Sequence, residues 1–391
     1  MPDMRFAPPP AMRVQDRGGG LNQTSVRTYN ERLVMSLLRQ HDSLSRMDLG
    51  QLSGLSAQTI SVIVRALERD GLILPGEAQR GRVGPPTKPM FLNPDGAFAI
   101  GIKINAKSTD VVLIDFIGVV RDHREYPYAF PDSRKVLTDL AESLTAVRVQ
   151  MPKEHLSRIV GVGIALPADI DLWPKPEWSA PPGATWGGID LEREVSALAG
   201  LPTYIQSDVT AAAAAEGTFG AARTLDDFAY FYIGAQSASR VILNHHIYAG
   251  RRNPGVVSEA GDNRLSTLSD LDALVRAADM DPAPIWRAAE AWPDFGDVLG
   301  RWIDDTADSL VRAFLTVSAF VDVDCAIIDG RFPPTVRERV RAAVAERLSG
   351  GNIAPPTILE GKVGFFAKAV GAASVPFHSR FMVEHVGLAP G

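Results

Sequence analysis

Between residues 29 and 71 the apolar positions fall at helical spacing three times in succession, with short polar breaks between. Leu33, Leu37 and Leu38 mark a helix over Tyr29 to Gln40. Ser45 then reads as an N-cap with Asp48 three residues on, Leu49 and Leu52 give the apolar side of a short second helix, and Gly54 breaks it. Ser56 caps a third helix in which Ile60, Ile63, Val64 and Leu67 repeat at i, i+3, i+4 and i+7. That stripe leaves Gln58, Ser61, Val62, Arg65 and Arg69 together on the opposite face, with Thr59 at the helix start. Such a face, with amide, hydroxyl, methyl and guanidinium groups, can reach base edges and phosphates in a major groove. The plainer alternative is an amphipathic helix pair with a solvated polar side.

Gly71 stops the third helix, and Leu72-Ile73-Leu74 and Met90-Phe91-Leu92 read as two short strands. The Gly/Pro-rich connection between them carries Arg80, Arg82 and Lys88. Three helices followed by a basic two-stranded flap make a winged helix-turn-helix whose tip can follow phosphates or enter a minor groove.

From Ala97 the period changes. AFAIGIKINA, STDVVLIDFIG and VVRDHREYPYAF read as consecutive strands, with turns at Lys107-Ser108 and Ile117-Gly118. A helix over Leu137 to Met151, a buried strand at Ile159 to Leu166, a helix over Leu191 to Ala199 and a strand at Thr203 to Ile205 follow. An alanine-rich helix spans Val209 to Gly217, then strands at Asp227 to Ile233 and Arg240 to Asn244, four helical stretches between Leu268 and Val321, and a strand from Cys325 to Asp329. Two such halves predict a two-lobed α/β body with a cleft between its lobes.

Charge divides the chain at the same place. Residues 1–92 hold 12 Lys+Arg against 8 Asp+Glu, and the remainder 28 against 38, so a head of +4 sits on a body of −10 within the net −6. A weakly basic head needs two copies on one site for tight DNA binding, which predicts a dimer. Cys325 is the single cysteine, which excludes an intramolecular disulfide and a thiolate-rich metal site. No apolar run reaches a membrane span and residues 1–24 lack a signal-peptide core, so a cytoplasmic protein with no membrane partner and a disordered N-terminal arm over 1–24 is expected.

NERLVMSLLRQHDSLSRMDLGQLSGLSAQTISVIVRALERDGLI, GVGIALP, QSDVTAAAAAEGTFGAAR, VVSEAG and GFFAKAVGAASVP together resemble ROK-family transcriptional repressors across residues 27 to 380. The resemblance implies a winged helix over 25–92 and, over 97–391, a ligand-sensing and oligomerising domain of the actin-like, ribonuclease H-like sugar-kinase fold. It also implies a palindromic DNA operator, a carbohydrate effector, and a homodimer or tetramer.

Several departures from the family pattern change that picture. Lys103-Ile104-Asn105-Ala106-Lys107-Ser108 stands where ROK kinases have a glycine-rich Asp-x-Gly-Gly-Thr-Lys phosphate loop, and side chains at 105 and 106 fill space that a phosphate needs. Gly234 to Arg240 replaces the second glycine-rich loop, and Asp329-Gly330-Arg331 replaces a Gly-Gly pair. No catalytic residues, no ATP site and no kinase activity are expected. Asp262 takes the place of the family's zinc-binding histidine and the cysteine cluster is missing, so no metal or other cofactor is expected. By position Asp208 matches the family's catalytic base and Glu259 a sugar-holding carboxylate, with Ser207 and Asp262 beside them as further ligand contacts. Trp173, Trp178 and Trp186 are candidates for stacking on a sugar ring. The alternative has Asp208 capping its helix, Glu259 at the surface and the tryptophans in the core. His245 and His246 would face opposite sides of a strand, so a surface turn fits them better than a metal site. The function expected is a DNA-binding regulator whose body senses a carbohydrate. A regulator whose body only dimerises or docks protein, and a sugar kinase with a DNA-binding head, are the alternatives.

Overall fold

A computed structural model of the chain describes residues 23–78, 88–167, 170, 186–248, 264–287, 290–350 and 355–383. The chain divides into two compact units, one of residues 1–218 with 368–391 and one of residues 219–367. The expected N-terminal arm lies outside the described residues up to 22, and its last two positions already belong to the first helix.

The first unit opens with α1 (Gln23–His41), β1 (Ser43–Leu44), α2 (Arg46–Ser53), α3 (Ala57–Arg69), β2 (Ile73–Pro75) and β3 (Met90–Leu92). The flap contains one strand more than expected, because Ser43 and Leu44 pair with Phe91 and Met90 to give the order β1-β3-β2. Leu49 is buried as expected, whereas Leu52 is 51% exposed, so α2 buries a narrower face than its sequence implied. The helix is only eight residues long and Gly54 caps it directly after Ser53, so its last turn leaves Leu52 exposed.

The same unit continues with β4 (Phe98–Ile104), β5 (Ser108–Asp115), β6 (Val120–Pro127), α4 (Ser133–Gln150), α5 (Lys153–Leu156), β7 (Ile159–Leu166), α6 (Leu191–Ala199), β8 (Thr203–Ser207) and α7 (Asp208–Phe219). Its sheet runs β6-β5-β4-β7-β8: the first three strands are antiparallel, while β4, β7 and β8 are parallel. β4, β5 and β7 are buried at every position, as strands covered on both faces must be. Val136, Leu140, Leu144 and Val147 of α4 share one core with Ile100, Ile102, Val162 and Ile164 of the sheet.

The second unit repeats the plan with β9 (Phe228–Ile233), β10 (Ala238–Leu243), β11 (His246–Ile247), α8 (Leu268–Ala277), α9 (Ala283–Arg287), α10 (Asp297–Ser318), β12 (Cys325–Gly330), α11 (Pro334–Leu348) and β13 (Thr357–Glu360). Its order β11-β10-β9-β12-β13 matches that of the first sheet, strand for strand. Three helices, not four, lie between Leu268 and Val321 among the described residues. Of the two histidines only His245 falls in the turn, at positive φ and with its Nε2 2.9 Å from Asp226, while His246 opens β11. α12 (Ala367–Phe381) belongs to the first unit from Lys368 on. No helix among the described residues is long and apolar enough to cross a membrane.

The winged helix is tied to the first sheet by a polar strut. Arg158, just before β7, donates to the carbonyl of Gly96 at 2.9 Å and reaches that of Gly71, the residue that stops α3, at 3.5 Å. Asn93 donates to the same Gly71 carbonyl at 2.7 Å.

Candidate DNA interface and ligand site

Local devices fix both ends of the second and third helices. Ser45 Oγ accepts from the Asp48 amide at 3.2 Å while Asp48 Oδ2 accepts from the Ser45 amide at 2.9 Å, a complete capping box. Gly54 closes α2 at φ +71°, a conformation that glycine takes without strain. Ser56 Oγ accepts from the Thr59 amide at 3.2 Å and starts α3. Ile60, Ile63, Val64 and Leu67 are buried, which turns Gln58, Val62, Arg65 and Arg69 to the exposed side.

Three of the expected DNA contacts already have partners within the chain. Ser61 Oγ donates to the Ala57 carbonyl at 2.8 Å, Thr59 Oγ1 lies 2.9 Å from Ser56 Oγ, and Arg69 Nε lies 3.1 Å from Asp70. Gln58, Val62 and Arg65 make no such bond among the described residues, and they stand at i, i+4 and i+7 along one stripe. Val62, 54% exposed, is an apolar side chain with nothing to cover it on that stripe. Lys88 is exposed at the foot of the flap, whereas Arg80 and Arg82 lie outside the described residues.

In the body, β8 delivers Ser207 and Asp208 to the start of α7. Ser207 performs the cap: its hydroxyl bonds to Thr210 Oγ1 at 2.7 Å and accepts from the Thr210 amide at 3.4 Å. Asp208 is thereby free of capping, and its Oδ2 accepts from Lys103 Nζ at 3.1 Å and from Lys368 Nζ at 2.6 Å. Burial pushes the Asp208 carboxyl up, but the two ammoniums outweigh it and hold the group well below the usual carboxylate range. Lys103, on β4, sits at the aspartate position of the expected phosphate loop, and its Nζ also donates to the Ile104 carbonyl at 2.9 Å. In the sequence Lys103 stands out only as a departure from the family's phosphate loop, and Lys368, 160 residues from Asp208, carries no local signal.

Burial lowers the Lys103 ammonium to about 8, against an ordinary 10.5, with Asp208 opposing the shift. Between those values the unfolded chain binds more protons than the folded one, so stability rises with pH there. Below that window both states are protonated and the full cost of burying the charge is present. The stability of wild type relative to Lys103→Met is expected to climb by roughly 3 kcal/mol across this window in urea titrations. A pH-independent difference would mean that Lys103 titrates as an ordinary lysine.

The loop after Lys103 closes on its own side chains. Asn105 Nδ2 donates to Asp110 at 3.1 Å, and the Tyr128 hydroxyl donates to the Asn105 carbonyl at 2.7 Å. In the second unit, Ser237 Oγ donates to the Ser266 carbonyl at 2.7 Å, and Ser269 Oγ to that of Ala235 at 2.9 Å. Asp329 is fully buried, 2.7 Å from the Tyr230 hydroxyl and 3.2 Å from Arg337. Trp186 is core, its indole N–H donating to the Pro131 carbonyl at 2.8 Å. Glu259, Asp262, Trp173 and Trp178 lie outside the described residues.

The ROK family profile matches residues 99–282, and a winged helix-turn-helix DNA-binding profile matches residues 27–73. The xylose repressor of Bacillus subtilis is 27% identical over 233 residues, and the match spans 59% of this chain and 59% of that repressor's length. The crystal structure of a ROK family transcriptional regulator, a homolog of the Escherichia coli MLC protein, superposes with a TM-score of 0.62 at 18% identity, over 92% of this chain and 99% of that one. A ROK family glucokinase from Streptomyces griseus, solved with glucose and AMPPNP, shares the body fold with a TM-score of 0.56 at 18% identity, over 71% of this chain and 99% of that one. The chain is thus a winged helix-turn-helix protein that carries a ROK family domain.

Proposed function

We propose that the chain is a DNA-binding transcriptional regulator, a repressor in its default action, whose ROK domain senses a carbohydrate or related small molecule. The domains divide near residues 92 and 97, and the protein acts in the cytoplasm as a homodimer or a dimer of dimers on a two-fold operator. The observation that carries the DNA half is the stripe of Gln58, Val62 and Arg65, exposed and uncommitted on a helix capped at both ends. Half-sites about 34 Å apart, one helical turn, suit a pair of such helices. The ligand end works by linkage: a molecule that binds one arrangement of the body better than another shifts the fit of the two winged helices to DNA.

Asp208 argues against a kinase. A general base must take a proton from the attacking hydroxyl, and a carboxylate gripped by two ammoniums is a poor acceptor. The same carboxylate still has Oδ1 for a sugar hydroxyl. Selection of binding fragments from random double-stranded DNA, followed by footprinting, tests the first half; no enriched sequence would sink it. A thermal-shift screen against hexoses, pentoses, amino sugars and their phosphates, with and without Mg-ATP, tests the second. Stabilisation by one sugar that Asp208→Ala abolishes supports sensing, and no shift with any of them favours a body that only dimerises or docks protein. ATP turnover with a hexose, lost in Asp208→Asn, would restore the kinase reading.

A further inference from the structure

α12 begins at the candidate ligand site and ends on the DNA-binding head. Lys368, its second residue, holds Asp208 Oδ2 at 2.6 Å. Nine and thirteen residues on, roughly 14 and 20 Å along the helix, Phe377 and Phe381 set their rings edge-on to Phe116, with centroids 5.1 and 5.0 Å off. The guanidinium of Arg39, from α1, lies 5.0 Å from the centre of the same Phe116 ring. Just past the helix the Val383 amide donates to Ser36 Oγ of α1 at 3.1 Å, and that hydroxyl lies 3.7 Å from Met382 Sδ. α1 in turn packs on α3, the helix with the exposed stripe.

Between its ends α12 is held by backbone contact. A methyl group on Gly101 of β4 would come 2.0 Å from the Ala369 carbonyl oxygen, and one on Gly163 of β7 would come 1.8 Å from that of Ala372. On the helix itself, a methyl at Gly371 would come 1.7 Å from the Ala211 carbonyl oxygen of α7. Pro376 has no N–H to offer Ala372, so that carbonyl is left for the close approach of β7. Packed backbone without intervening side chains has few ways to yield, so a movement at one end is carried to the other.

We propose that Lys368 is a positioning residue: it couples occupancy of the Asp208 site to the placement of the winged helix, through α12. A sugar hydroxyl that donates to Asp208 Oδ1 draws on the charge shared by both carboxylate oxygens, weakens the hold of the Lys368 ammonium on Oδ2, and the helix start follows its lysine. The sensing step rests on the function proposed above; the mechanical link from Lys368 to α1 does not.

The test is amide hydrogen exchange on the full chain in wild type, Lys368→Met and Lys368→Arg. Lys368→Met should speed exchange over Ser36 to Arg39 and at Val383 by about threefold or more, with β9 and β12 of the second unit unchanged. Lys368→Arg, which keeps the charge, should restore the wild-type pattern. A change confined to the first turn of α12 and the start of α7 would overturn the proposal. If Lys368→Met fails to fold, Lys368→Gln and Ser36→Ala probe the two ends separately, and each should loosen the end it does not touch. Faster exchange in α1 with no sugar bound by wild type would keep the link and remove the sensing. A sugar that shifts DNA affinity equally in wild type and Lys368→Met would keep the sensing and remove the link.

Discussion

Arg65→Ala is expected to weaken binding to the selected operator by about 5- to 150-fold, or ~1–3 kcal/mol, with little change in melting temperature. The two effects separate because Arg65 is exposed and makes no bond within the chain, and surface changes of that kind stay within about 0.5 kcal/mol of neutral. Salt distinguishes what it touches. If Arg65 neutralises a phosphate, the slope of log K against log salt falls by about 0.9 and every sequence is weakened alike. If it reads guanine, the loss is confined to operators that hold that base, and one position of the site relaxes. Gln58 and Val62 lie on the same stripe and carry the matching chemistry for adenine and for a thymine methyl group. Replacing operator thymines by uracil removes only the methyls, so it should weaken wild type at one position and leave Val62→Ala indifferent there. Arg69→Ala should cost less than Arg65→Ala, since its guanidinium already faces Asp70 at 3.1 Å. Equal operator affinity in wild type and Arg65→Ala would place the DNA interface elsewhere.

The head was legible in the sequence because its determinants are local. A cap needs only a side chain three residues from an amide, so Ser45 with Asp48, and Ser56, announce helix starts before any tertiary contact is known. The apolar stripe of α3 was equally plain. Leu52 misled because two leucines at i, i+3 in a short helix do not fix which way its last turn faces. In the body, strands buried on both faces announced themselves as unbroken apolar runs, and Ile159–Leu166 has the bounds expected of it. What stayed hidden is long-range. Asp208 meets Lys103 across 105 residues and Lys368 across 160, and no periodicity reports a pairing at such distance. Arg158 carries no local signal of its role, because the Gly71 and Gly96 carbonyls that it binds lie 87 and 62 residues away. The glycines of GVGIAL read as ordinary strand residues, and only the approach of α12 shows why they are there.

Gly163→Ala is expected to cost more than about 4 kcal/mol, beyond the range of most single substitutions, and to leave the first unit unfolded or loosely packed at 37 °C. The new methyl would sit 1.8 Å from the Ala372 oxygen and 2.3 Å from its carbon, and both are main chain, so no side-chain rotation relieves the clash. Neither element can retreat cheaply. β7 is paired with β4 on one side and β8 on the other, and α12 is pressed again at Gly101 and Gly371. Gly217 provides the control in the same unit. It is exposed within α7 with open space around its Cα, so Gly217→Ala should be neutral or stabilise by up to about 1 kcal/mol through helix propensity alone. Urea unfolding followed by circular dichroism separates the two outcomes. A tolerated Gly163→Ala, with a loss under about 1 kcal/mol, would mean that α12 rests on side chains that can give. A helix so seated could shift at Lys368 without moving Ser36, and the link from ligand site to DNA head would lose its physical basis.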